Sequence, residues 1–339
     1  MAISGKTYSK TQWRLALQGE TTIGTANTTT MQLFNIQDTP TWDRGAIRSM
    51  PLRSGIGRFK KEDDVNFIEE NQLKTCTFNC LVGTDEMAIL LENHYGNEAG
   101  LTPAGFAFET GYTDGAAGEM LQGGSPVGTY DTLTAALIPP EDNQTELATA
   151  CVISNLVIRG DLTANDTLVE CSVTLVTKNK LAVNQATPGS MVAYTAGDDV
   201  YKVFDFGGSC QLNSADVIMS GFEITSSNGV GFVGGACDAD GNPQVIVRGL
   251  TDPMVQCALT VKYDDNTEDL PQTSKDQSLP IPVQFGNNAT WTAATVGFKG
   301  TSGWIVDNPE MTDVEGAMFF TINLEYVDDG TNDIFEVVA

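Results

Sequence analysis

The sequence predicts a mainly β protein whose two halves are related β modules, with one short α-helix in the first. Three observations carry this. The stretch CVISNLVIRGDLTANDTLVECSVTLVT, residues 151–177, reads as a β-hairpin. On its second arm Val169, Cys171, Val173 and Leu175 share one face, and Glu170, Ser172 and Thr174 share the other. That period of two marks a half-buried antiparallel strand, and the polar run RGDLTANDT supplies the turn. AMFFTINLEYVDD repeats the alternation near the C-terminus, with Met318, Phe320, Ile322, Leu324 and Tyr326 on one face. The upstream strands match as well: Cys76, Phe78 and Cys80 of TCTFNC correspond to Cys257, Leu259 and Val261 of QCALTV.

Cys76 and Cys257 lie 181 residues apart, whereas Cys171 and Phe320 lie 149 apart. The first half therefore holds 32 extra residues between its paired strands. The expected division is 1–180 for the first module and 181–339 for the second, in keeping with a chain too long for a single growing core.

Taken in order, the chain opens with an apolar-spotted segment around Trp13, Leu15 and Leu17, a Thr-rich turn, and a short strand at MQLFNI. Residues 41–62 are basic and rich in Gly, the pattern of a long loop or extended arm. Arg44, Arg48, Arg53, Arg58, Lys60 and Lys61 are six of the 18 Lys and Arg in the chain. So much positive charge in one loop of an acidic chain points to an interface between copies.

After the strand at 74–82, TDEMAILLENHYG predicts a helix. Thr84 is the expected N-cap, Asp85 and Glu86 suit the N-terminal dipole, and Gly96 is a stop. Met87, Leu90, Leu91 and His94 share the face that would lie on a sheet. Residues 97–147, rich in Gly, Ala and Pro, read as an irregular insertion, and 178–200 as the link between modules. The second module then runs through VIMSGFEITSS, QVIVRGL, QCALTVKY, IPVQF, TWTAATVGF and the terminal strand. TEDLPQTSKDQ, with Pro271, reads as loop.

Composition excludes several classes. With 18 Lys and Arg against 44 Asp and Glu, the net charge is -26, which repels nucleic acid and anionic membranes. The N-terminus has no apolar core of a signal peptide, and no run is long enough to span a bilayer. The seven cysteines form no C-x-x-C pair and mostly sit on apolar strand faces, as small buried hydrophobes do in a reducing cytoplasm.

Motifs that resemble chemistry have simpler readings. GVGFVG at 229–234 matches G-x-G-x-x-G, yet a turn carrying aspartates follows where a phosphate-binding helix should open, so a hairpin is expected. CDADGN starts like a calcium loop, but Pro243 replaces the required Gly and Gly249 the final Glu. His94 is the only histidine, without a G-x-S-x-G serine or a second ligand histidine, and reads as a helix-face residue at the sheet. With 44 acids, carboxylate pairs nominate no general acid or base. The expectation is a non-enzyme with no cofactor and no catalytic or metal site.

The order of features resembles the major tail tube proteins of long-tailed bacteriophages. The likeness lies in TYSKTQWRLALQGETTIGTA, the basic MPLRSGIGRF, TCTFNCLVGTDEMAILLENHYG, the 150–177 hairpin and AMFFTINLEYVDD. It implies β-sandwich or barrel modules with a flanking helix. Sheets of neighbouring subunits would close a ring, and stacked rings would form the tube that conducts the genome in ejection. Six modules around the bore imply a trimer with pseudo-sixfold symmetry if each chain carries two, or a hexamer otherwise. The implied setting is a virion tail assembled in the host cytoplasm, with tape measure and tail terminator proteins as partners, and DNA passing an acidic, non-adhesive lumen. The competing expectation is a decoration or adhesin-type β-sandwich that forms no tube. Such a domain usually shows a signal sequence or an exposed aromatic platform, and neither is evident in the sequence; a decoration protein assembled in the cytoplasm stays open.

Overall fold

The computed structural model describes residues 12–21, 23–43, 47–51, 65–69, 73–95, 106–108, 132–141, 143–162, 167–195, 199–229, 231–232, 246–247, 254–269, 279–307, 309–314, 316–327 and 335–338. Among the described residues the fold is mainly β, and nineteen of its strands join into one large, mainly antiparallel sheet.

The first half comprises β1 (Arg14–Gly19), β2 (Met31–Ile36), β3 (Trp42–Asp43), β4 (Ile47–Pro51), β5 (Val65–Glu69), β6 (Lys74–Leu81) and helix α1 (Thr84–Tyr95). It continues through β7 (Phe106–Phe108), β8 (Leu133–Ile138), β9 (Thr145–Asp161) and β10 (Glu170–Thr177), and β11 (Ala182–Gln185) and β12 (Met191–Val192) follow. The second half opens with the single-turn helix α2 (Val203–Phe206), then β13 (Ser209–Leu212), β14 (Ala215–Asp216) and β15 (Met219–Ser227). β16 (Gly231–Phe232), β17 (Ile246–Val247), β18 (Met254–Lys262) and β19 (Ile281–Gly286) come next. β20 (Gly297–Ile305), β21 (Glu310–Val314), β22 (Ala317–Tyr326) and β23 (Phe335–Val338) end the chain.

In the first half β1 pairs with β2 and β8, β8 with β9, β9 with β10, β10 with β6, and β6 with β2, so the round closes. In the second half β13 pairs with β14 and β19, β19 with β20, β20 with β22, β22 with β18, and β18 with β15. Only Val217 and Ile218 separate β14 from β15.

The two rounds share their register. Cys76 faces Leu175, and Cys257 faces Leu324. Leu15 faces Leu137, and Cys210 faces Phe285. Leu17 faces Gln32, and Leu212 faces Ala215. Ile36 faces Cys80, and Met219 faces Val261. Leu133 faces Cys151 and Ile281 faces Gly303, with a register slip just after Leu133 and just after Ile281. One offset per strand carries each pair onto its counterpart, and for β6 and β10 those offsets are the 181 and 149 residues read from the sequence.

Across the middle, β9 pairs with β15, Ile158 opposite Ile224, so a six-strand run β6–β10–β9–β15–β18–β22 crosses both halves. Its inward residues, among them Phe78, Val173, Ile158, Ile224, Leu259 and Ile322, are buried in one apolar core. Burial of such side chains is the main favourable term in folding, about 1.5–3 kcal/mol each. On α1, Met87, Leu90, Leu91 and His94 are buried together, the face expected from their spacing.

Several expectations need correction. Residues 97–147 are not irregular throughout, since they contain β7, all of β8 and the start of β9. Every residue of β8 is buried, so its LTAALI run lacks the alternation that would mark a strand. The basic stretch at 41–62 is partly regular, because β4 pairs with β5 as a two-stranded ribbon joined to no other strand among the described residues. The link at 178–200 is paired into the first half, β11 with β9 and β12 with β2. Met318 departs from its row and is exposed, because it sits where the sheet ends. Thr84 is the first helical residue rather than the cap. Gly83 precedes it, its N–H donating to Glu86 Oε2 at 3.0 Å while its carbonyl accepts from Met87. Trp291–Ala293 is a 3-10 turn, so the strand expected from TWTAATVGF begins at Gly297.

Candidate functional site

The side of the six-strand run facing away from the core is a continuous polar face. One row runs Asn79, Ser172, Val157, Thr225, Gln256, Glu325 across the strands, and the next runs Leu81, Glu170, Arg159, Glu223, Ala258, Asn323. Strand pleating puts these residues outward because their neighbours are the buried ones. Hydroxyls and amides bond along the face: Thr77 to Thr174 at 3.2 Å, Thr260 to Thr321 at 2.9 Å, and Gln256 Nε2 to Glu325 at 3.3 Å.

Charge on the face is sparse and leans acidic. Asp161, Glu170, Glu223 and Glu325 face outward with only Arg159 and Lys262 as cations. Arg159 is engaged, its Nη2 and Nε donating to Glu170 Oε2 at 2.7 and 3.0 Å. A shallow groove of about 480 Å³ crosses the face between Arg159, Glu170, Glu223, Thr260 and Thr321. Neutral hydroxyls beside a neutralised guanidinium give phosphates little to hold, because such affinity comes from cations that release counterions.

His94 is fully buried. Its Nδ1 lies 3.0 Å from the Ile153 carbonyl and its Nε2 lies 2.9 Å from Ser226 Oγ. Asn228 Nδ2 donates to the Ile153 carbonyl at 2.6 Å, and Asn93 Oδ1 accepts from the Ile153 N–H at 2.8 Å. This network ties α1 to β9 and to the end of β15, and so fastens the seam between the halves. The Ser226–His94 contact does not make a nucleophile, because Ser226 is buried and its single hydroxyl proton is shared between His94 and the Leu156 carbonyl, 3.3 Å away.

Among the described residues six cysteines are buried and free. Burial, with Glu146 adding, pushes the Cys76 thiol up to about 12, and burial beside Asp216 pushes Cys210 up to about 12. Cys80, Cys151, Cys171 and Cys257 are raised as well, burial being the first cause in each. Thiols so shifted stay protonated at neutral pH and are poor nucleophiles. Among the described residues no group of three or more His, Cys, Asp or Glu is arranged to hold a metal ion.

Of GVGFVG, Gly231 and Phe232 form β16, paired with Ile246 and Val247 of β17. The CDADGN stretch lies outside the described residues. So do Arg44, Arg53, Arg58, Lys60 and Lys61; Arg48 is on β4, its Cα opposite Ile68. The polar face was missed in the sequence because it depends on the β9–β15 pairing. The outward residues of each strand were visible singly.

No protein-family model matches the chain, and no curated protein matches it in sequence.

Proposed function

We propose that the chain is a structural virion protein that polymerises as stacked rings into a hollow phage tail tube, with the polar face lining the bore. The observation that carries the reading is the seam between the halves. Trp42 faces Cys76 as Ile224 faces Cys257, so β3 is the counterpart of β15. β21 pairs with β22 where, in the first half, the outer part of β9 pairs with β10. Within the chain β9 and β15 meet. Among the described residues β3 pairs only with β6, and β21 only with β22.

Setting β21 of one copy beside β3 of the next therefore repeats an interface that the chain already makes internally. A heterologous contact of this kind closes a ring when its rotation allows, and open strand edges are ready templates for it. Two modules per chain place three chains in a ring of six modules. The two ribbons, β4–β5 between β3 and β6 and β16–β17 between β15 and β18, are inserted at corresponding points of the chain. Arg44 leads into the first ribbon, Arg48, Arg53, Arg58, Lys60 and Lys61 fall between its ends in sequence, and these six are assigned to contacts between rings.

The bore would carry DNA without gripping it. Its wall offers hydroxyls, amides and a few carboxylates, effective over a screening length of about 8 Å in physiological salt. Negative-stain microscopy of the purified chain tests the reading: hollow tubes are expected, and isolated particles alone at high protein concentration would overturn it. Arg48→Glu, Arg53→Glu and Arg58→Glu together should leave a folded chain that no longer stacks.

A further inference from the structure

The corresponding ends of the two rounds differ in one respect. In the first half the ladder stops at Glu170 opposite Leu81, and the segment 199–206 inserts beyond it. Tyr201 N–H donates to the Val82 carbonyl at 3.0 Å, and Val169 N–H donates to the Tyr201 carbonyl at 2.9 Å. The Tyr201 hydroxyl donates to Thr84 Oγ1 at 3.0 Å, and Val203 packs where Gly160 leaves room. Val82 and Val169 are thereby fully buried.

In the second half the ladder stops at the matching pair, Phe319 opposite Lys262. The counterparts of Val82 and Val169 are Tyr263 and Met318, which bond to each other directly, Tyr263 N–H to the Met318 carbonyl at 2.9 Å. Nothing described covers them. Tyr263 is 40% exposed, Met318 47% and the adjoining Ile218 57%. Beside this apolar row Asp313 faces Met318 across the ladder, Asp264 and Asp265 follow Tyr263 directly, and Asn266 Nδ2 fastens their turn to the Asp216 carbonyl at 3.1 Å.

We infer that this end is a docking site for the N-terminal segment, residues 1–11, of the next copy of the chain. The covering segment in the first half is the stretch that leads directly into β13, and β13 corresponds to β1. The stretch that leads into β1 is MAISGKTYSKT, outside the described residues. It offers Ile3 and Tyr8 for the apolar row, Lys6 and Lys10 for the acidic rim, and no carboxylate. Each module would then be clasped by the segment that opens the next, within a chain by 199–206 and between chains by 1–11. The inference rests on the tube reading for the order of copies, but its test does not need tubes.

Two full-length chains are mixed, one carrying Thr7→Cys and the other Met318→Cys, and treated with a short bismaleimide. A cross-linked heterodimer is expected, absent when either engineered cysteine is omitted. Lys6→Glu with Lys10→Glu should weaken the link about fivefold, as two exposed ion pairs allow. Asp264→Lys with Asp265→Lys should restore it. No heterodimer, or a link forming only inside a single chain that carries both cysteines, would overturn the clasp. Tubes without the link would overturn the clasp and leave the tube reading standing. The link without tubes would support the clasp and count against the tube.

Discussion

The same round of strands is filled in two ways. Where the first half carries Leu137, Cys171 and Thr177, the second carries Phe285, Phe320 and Tyr326. A chain of rings runs Phe206–Phe222–Phe285–Phe298–Tyr326 with centroids 5.1 to 5.7 Å apart. The first half instead lays α1 against β1, β2 and β9, and Met87, Leu90 and Leu91 are buried in the same apolar core as the small strand residues Ala135, Ala148 and Cys151. Glycine placement follows from this. Gly300 and Gly303 stand where the first half has Ala148 and Cys151, and a Cβ on Gly300 would fall inside the Tyr326 ring. Register is the shared property of the two rounds, and the filling is free to differ so long as volume is conserved.

The largest expected effects come from positions that the halves share. Leu175→Ala and Leu324→Ala should each cost about 2–5 kcal/mol in denaturant unfolding, because both leave a cavity in a closed core. A difference between them larger than that range would break the correspondence. Gly300→Ala should cost about 1–3 kcal/mol through overlap with Tyr326. The reciprocal Ala148→Gly should cost only about 0.5–1 kcal/mol, since it adds chain entropy and meets no ring. Equal costs would mean that Tyr326 does not occupy the space assigned to it.

Alkaline pH acts on both halves alike. Cys76 and Cys210 have folded-state pKa values raised from 9.0 to about 12. Folding therefore favours their neutral thiols, a contribution fully present below pH 9 and lost as pH rises toward 12. Stability should fall steadily over that window, and the six buried thiols should resist alkylation at neutral pH until the chain unfolds. The smallest effect belongs to the polar face. Arg159→Ala removes an exposed pair with Glu170 and should change stability by at most about 1 kcal/mol. If the chain assembles into the proposed tube, the same variant should still leave duplex DNA unbound at physiological salt.

What could be read from the sequence followed the local period. The inward rows at Cys76–Cys80, Cys171–Leu175, Cys257–Val261 and Phe320–Tyr326, and the buried face of α1, were visible because each alternates within one element. β8 was missed because a strand covered on both sides loses its polar alternation. The split of the counterpart of β9 into β20 and β21, and of β15 into β2 and β3, hid the rest of the correspondence until register was known. The seam joins Ile158 to Ile224 across chain that carries no local signal of the pairing.

In the proposed tube one chain supplies two modules of a ring. Averaged electron microscopy of a single ring, or mass per unit length of the assembled tube, measures this directly. Three chains per ring with pseudo-sixfold symmetry is the result expected. Six full chains per ring would contradict the two-module reading.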